Sequence, residues 1–145
     1  MKRISAVVVA ILLVVSGCIG MVSATETMET EVRASPTISD YYVSLAPGTS
    51  SGEIWVSYHV GASKLPTSVG VSSIEILNSD GSHAWSITGT VGNGLINNSG
   101  QSLHAGSYPY FGKAGASYFA AVTVFVATKD DYDSRTIVTP VVKAP

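Results

Sequence analysis

The chain is 145 residues long, 46% hydrophobic and only 12% charged, with 10 Asp+Glu against 8 Lys+Arg and a net charge of −2 at pH 7. That mild acidity argues against nucleic acid or an anionic membrane surface as a partner, since both reward a basic patch. A single cysteine, Cys18, allows no intrachain disulfide, so packing has to hold whatever folds.

Lys2-Arg3 opens the chain, Ile4 to Val15 is an almost unbroken apolar run, and Val22-Ser23-Ala24 follows as a small-residue cleavage pattern. This is the layout of a secretory signal peptide, with the cut expected after Ala24. Ser16, Gly17 and Gly20 interrupt the run short of the roughly 20 apolar residues that a membrane span needs, so no transmembrane anchor is expected in the mature chain. Val15-Ser16-Gly17-Cys18 also has the form of a lipobox, the alternative being a membrane-anchored lipoprotein acylated on Cys18. Cutting there would leave Ile19, Met21 and Val22 at the head of the mature protein, which favours Ala24.

The expected organisation is a signal peptide over 1–24, a flexible polar tether over 25–35 ("TETMETEVRAS", acidic and without period), and one domain over 36–145. Loss of Lys2 and Arg3 takes the net charge from −2 to about −4. About 120 residues suffice for one hydrophobic core and not for two.

From Pro36 the apolar residues alternate, the period of half-buried strands, and almost no helix is expected. A first strand is predicted over Ile38 to Leu45, with Tyr41, Val43 and Leu45 on one face, ending at Pro47-Gly48. In "GEIWVSYHV" Ile54, Val56, Tyr58 and Val60 form the core face, and Glu53, Trp55, Ser57 and His59 point outward. Asp80-Gly81 marks a tight hairpin turn, with Ile74 and Ile76 inward before it and Trp85 and Ile87 pairing back after it. "GTVGNGLINNSGQ" reads as a long irregular loop, expected to be the mobile segment, with Leu95 and Ile96 plugging one end of the core. "LHAGSYPYFG" is a short edge strand, because Pro109 lacks a ladder donor. "SYFAAVTVFVA" is apolar or small on both faces and reads as a central strand, with Tyr118, Ala120, Val122, Val124 and Val126 on one side. A last strand over Arg135 to Val142 carries Pro140, again an edge signal. About seven strands at these spacings predict an antiparallel β-sandwich, with a closed barrel as the main alternative.

Gly115-x-x-Tyr118-x-x-x-Val122-x-Val124 resembles the strand-F signature of fibronectin type III and other immunoglobulin-like domains. The resemblance implies that Tyr118 is a structural tyrosine corner, its hydroxyl bonded back to the preceding turn. The mature region, through "SGEIWVSYHV", "VGVSSIEIL", "GNGL", "GASYFAAVTV" and "DSRTIVTP", further resembles a group of small secreted proteins of Gram-positive bacteria known only as a domain of unknown function. That resemblance implies a fold and an extracellular habitat, and no activity.

Residues able to carry chemistry are few. Gly48-Thr49-Ser50-Ser51-Gly52 has the written form of a nucleophile elbow, but that motif works where a strand feeds a strained turn into a helix, and here both flanks read as strands. His59, His83 and His104 lack metal-site spacing. Asp130, Asp131 and Asp133 in "KDDYDSR" alternate as Ca²⁺ ligands can, or are a solvated turn, the preferred reading. Glu53, Glu75, Asp40 and Asp80 are placed on outward faces or turn tips, too scattered for a facing carboxylate pair. No enzyme, cofactor or metal is therefore expected. Aromatics remain as the means of recognition. Trp55 and Trp85 read as caps on the core ends, while Tyr108, Tyr110 and Phe111, stiffened by Pro109, are the candidate ligand-binding set. Such a set suits a cell-envelope glycan or protein, and the expected function is a non-catalytic extracellular binding or surface-structural module, the alternatives being a carbohydrate-binding domain or a small secreted hydrolase or toxin-like factor.

Overall fold

Period-two alternation governs the described chain, residues 37–145 of a computed structural model. The Cys18 and Ala24 processing sites and the 25–35 tether lie outside the described residues. Seven long strands form, as the turn spacing predicts: β1 (Ile38–Pro47), β2 (Glu53–Ala62), β3 (Ser68–Asn78), β4 (His83–Thr88), β6 (Leu103–Phe111), β7 (Ser117–Ala127) and β8 (Tyr132–Val138). Two short pairings, β5 (Ile96–Asn97) and β9 (Val142–Lys143), bring the total to nine. Among the described residues no helix is long and apolar enough to cross a membrane.

The strands divide into two antiparallel sheets, which make a sandwich. Sheet A runs β1-β2-β6, and sheet B runs β4-β3-β7-β8, with β5 added to β3 and β9 to β7. Ile54, Val56 and Val60 from sheet A meet Val71, Ile74, Ile76, Val122, Val124 and Val126 from sheet B, all essentially excluded from solvent. Each such side chain contributes about 1.5–3 kcal/mol on burial, which is how a domain without disulfides holds together. β7 is central, flanked by β3 and β8, which explains why neither of its faces is charged.

Local chemistry sets the connections. Gly81 takes a φ of 87° in the β3–β4 hairpin, and Asp80 Oδ1 accepts from the Ser82 amide at 2.8 Å and the Ser82 hydroxyl at 2.6 Å. The expected loop after β4 is tied down at several points. Leu95 is buried, β5 pairs with β3, and the Asn93 carboxamide accepts from the Thr90 and Leu95 amides while donating to the Thr88 carbonyl.

The last expected strand, Arg135 to Val142, starts earlier and is broken. β8 begins at Tyr132 and ends at Val138, after which Thr139 still bonds Ala120 through both its amide and its hydroxyl. Pro140 cannot continue the ladder, and the chain re-pairs with β7 as β9.

Both edges of sheet A carry a proline, and register fixes its orientation. The bonds Gly112 N–H to Gly52 O and Ala62 N–H to Ser102 O put the even-numbered residues of β6 against β2, so the Pro109 nitrogen faces away from it. Gly48 N–H to Glu53 O does the same for β1, and turns the Pro47 nitrogen outward.

Candidate binding face

The candidate aromatics separate onto two sides of sheet A. Tyr108 stands opposite Val56 and Tyr110 opposite Ile54, so both rings lie on the inner face and pack half-buried against the core. They meet Trp85 from β4, with ring centroids at 5.8 Å and 5.5 Å, and Tyr110 meets Tyr118 edge-on at 5.6 Å. Together these rings close the side of the sandwich between β6 and β4, so Trp85 covers the core as expected, whereas Trp55, expected to do the same, lies on the outer face of sheet A. Burial, followed by the neighbouring Tyr118, holds the Tyr110 hydroxyl above its ordinary value. Tyr118 is 3% exposed and its hydroxyl accepts from the Lys113 amide at 2.8 Å, the bond back to the preceding turn. A Cβ on Gly112 would lie 2.6 Å from that hydroxyl, so the corner needs glycine there. Phe111 points the other way and is 62% exposed.

The outer face of sheet A is read off in rows across its strands. At one end Phe111 stands beside Glu53; next come Ala46, Trp55 and Pro109; then Ser44, Ser57 and Ser107; then Tyr42, His59 and Ala105; and finally Asp40, Gly61 and Leu103. Tyr42 is 60% and Leu103 50% exposed. The Ser57 and Ser107 hydroxyls bond to each other at 2.9 Å. Tyr42 and Leu103 were not singled out from the sequence, although alternation against Tyr41 and Val43 carries the signal for Tyr42.

The ionisable groups of this face are engaged within the protein. Asp40 accepts from the Ser39 hydroxyl at 2.7 Å and pairs with His59 Nε2, and these two contacts, Ser39 first, hold its carboxyl below the ordinary value. Glu53, expected to point into solvent, is only 7% exposed because the 48–52 turn folds over it. Its carboxylate accepts from the Ser50 amide at 3.0 Å and the Thr49 amide at 2.9 Å, and these bonds lower its pKa. Ser50 therefore sits in a turn between two strands with its amide used to anchor that turn.

The other flagged groups do not converge. His83 is exposed at the start of β4, and the His104 Nε2 lies 2.8 Å from the Gly94 carbonyl, which also accepts from the Tyr58 hydroxyl at 3.1 Å. Burial pushes that Tyr58 hydroxyl above its ordinary value. Asp133 departs from the turn formed by Asp130 and Asp131. It stands opposite Val126 on the inner side of β8, where Arg135 donates to it at 2.6 Å, while Asp131 faces Lys64 at 3.5 Å. Among the described residues no group of three or more His, Cys, Asp or Glu side chains is placed to hold a metal ion.

In comparison with known proteins, no family model and no curated protein matches the chain.

Proposed function

We propose that the chain is an exported, non-catalytic binding module of the cell exterior, built on an immunoglobulin-like sandwich close to fibronectin type III. Strand order supports the fold reading. β1, β2 and β6 occupy the places of strands A, B and E in one sheet, and β3, β7 and β8 those of C, F and G in the other. The Tyr118 bond to Lys113 is the corner that such a domain carries on its sixth strand. The signal-peptide layout of the first residues supports export, and the resemblance is what points to a Gram-positive habitat.

One observation carries the functional reading. Tyr42, Leu103 and Phe111, three large exposed apolar side chains, share the outer face of a single sheet, whereas Glu53, Asp40, His59, His104 and Arg135 are each held in a structural bond. Several such side chains on one sheet face, spaced along it rather than packed into the core, offer points of contact for a partner. The test is twofold. The purified domain should not turn over ester, peptide or glycoside substrates, and should be retained on isolated cell-envelope material through Tyr42 and Phe111. Specific hydrolysis abolished by Ser50→Ala, or retention unchanged in a folded Tyr42→Ala/Phe111→Ala double variant, would overturn it. Tyr108 and Tyr110 face the core, so their replacement tests stability instead.

A further inference from the structure

We propose that the outer face of sheet A binds an extended, uncharged polysaccharide segment, with Trp55 and Tyr42 as stacking platforms and the Ser44, Ser57 and Ser107 hydroxyls between them. This rests on the binding-module reading and names its site and ligand class.

The layout of the face selects the ligand. His59, the cross-strand partner of Tyr42, lies four residues along β2 from Trp55, which places the two platforms ~13 Å apart along the strands and ~4.8 Å across them. A monosaccharide meets one of them; an extended oligosaccharide meets both. Between them runs the serine row, already ordered by the 2.9 Å Ser57–Ser107 contact. Protein interfaces are built the other way round, with an apolar centre and a polar rim. Here the polar groups occupy the middle and the aromatic ones the ends. A sugar chain offers what such a strip needs: C–H faces to lie on the aromatic rings and hydroxyls to exchange hydrogen bonds with serines.

Charge narrows the class further. Asp40, Glu53 and His59 are the charge-bearing side chains among the strand positions of this face. Asp40 and His59 pair with each other, and Glu53 is turned under Thr49 and Ser50. Among the described residues at these strand positions no free cation is offered to a phosphate, sulfate or uronate, so the ligand is neutral. The opposite face of the sandwich has its own exposed ring, Tyr132 at 64%, with a half-buried Phe119, and serves as the comparison surface. There Phe125 is buried beneath Tyr132, the two rings stacked at 5.7 Å, and the Thr123 and Thr136 hydroxyls bond each other at 2.9 Å.

The experiment is affinity electrophoresis of the full chain through gels containing hydroxyethylcellulose, galactomannan or laminarin, with polygalacturonate and heparin as charged controls. Retardation by at least one neutral polysaccharide is expected, weakened roughly tenfold in Trp55→Ala and in Tyr42→Ala, the loss of one aromatic platform, and unchanged in Tyr132→Ala. Circular dichroism checks each fold. Should Trp55→Ala not fold, the exposed Tyr42 still decides the matter. Binding to none of the neutral polymers, or to the charged ones alone, would overturn the ligand class. Binding lost in Tyr132→Ala but kept in Tyr42→Ala would overturn the site and leave the binding-module reading standing. A sedimenting dimer dissolved by Tyr42→Ala, with no glycan bound, would make the face a self-interface and also overturn it. Release of new reducing ends by a chain that binds through Trp55 and Tyr42 would refute the non-catalytic reading while supporting this face as the glycan site.

Discussion

Removing one oxygen atom from the Tyr118 side chain tests how the sandwich is held at the turn before β7. In Tyr118→Phe the ring keeps its place in the core and its edge-on contact with Tyr110, but the Lys113 amide loses the acceptor it now holds at 2.8 Å. A neutral hydrogen bond contributes about 1 kcal/mol net, and a partly buried donor left without a partner raises the cost, so a loss of ~1–2 kcal/mol is expected. With an unfolding entropy of about 2.1 cal/mol/K per residue over a domain of about 110 residues, that lowers the melting temperature by ~4–9 °C. Tyr118→Ala removes the ring as well and should cost ~3–5 kcal/mol, or ~13–22 °C. Calorimetry of both variants, with Tyr132→Phe on the exposed outer face as a control, reads the series directly. A Tyr118→Phe domain melting within a degree of the parent would show that the Lys113–Tyr118 bond carries no weight and refute the reasoning.

Three further outcomes are expected. Glu53 is held as a carboxylate by the Ser50 and Thr49 amides, so its folded pKa lies below its ordinary value of 4.5; the stability it contributes is present above that value and is lost as pH falls through the folded one. Urea midpoints measured between pH 7 and pH 3 should therefore drop more steeply for the parent than for Glu53→Gln, and parallel curves would contradict the assignment. Trp85→Ala should lower stability, toward the low end of the ~3–5 kcal/mol seen for large aromatics, and weaken the near-ultraviolet dichroism of its contacts with Tyr108 and Tyr110, whereas Trp55→Ala, which opens no gap in the core, should cost less. Equal effects in chemical denaturation would undo the distinction between inner and outer tryptophan. Intact-mass analysis of the exported protein should find Thr25 at the N-terminus, and an acylated Cys18 would reverse the processing expectation.

The fold was legible where one face of a strand is uniformly apolar. β2 alternates between an apolar face and a mainly polar one, so Ile54, Val56, Tyr58 and Val60 could be assigned to the core from spacing alone, and in β7, apolar or small on both faces, spacing grouped Tyr118, Ala120, Val122, Val124 and Val126 on one side. β6 offers no such asymmetry. His104, Gly106, Tyr108 and Tyr110 share one face, and Leu103, Ala105, Ser107, Pro109 and Phe111 the other. Neither set is more apolar by inspection, and only the register with β2 decides that two tyrosines turn inward and Phe111 outward. Glu53 shows a different limit. Alternation placed it correctly on the outer side, but a turn that folds back over its own flanking strand is a tertiary event with no local period. Asp133 misled in a similar way: three acids in one short stretch look alike until pairing with β7 turns one of them inward toward Arg135. For the same reason the candidate face was legible only in part. Trp55, Ser57 and His59 were placed outward, but the row that joins them to Tyr42, Ser107 and Phe111 exists only once three strands are in register.

Pro47 and Pro109 have a bearing on how sheet A can meet other molecules. An exposed strand edge with a full set of amides is a template on which a peptide, or another copy of the chain, can grow the sheet by one more strand. At both margins of sheet A one outward donor of that template is missing, so an incoming strand would find its ladder interrupted from either side. Backbone-mediated growth into ribbons or fibres is disfavoured there, an advantage for a domain that has no disulfide to keep its strands in place. What remains open to a visitor is the broad face between the two prolines, where contact runs through side chains and selectivity is set by their identity.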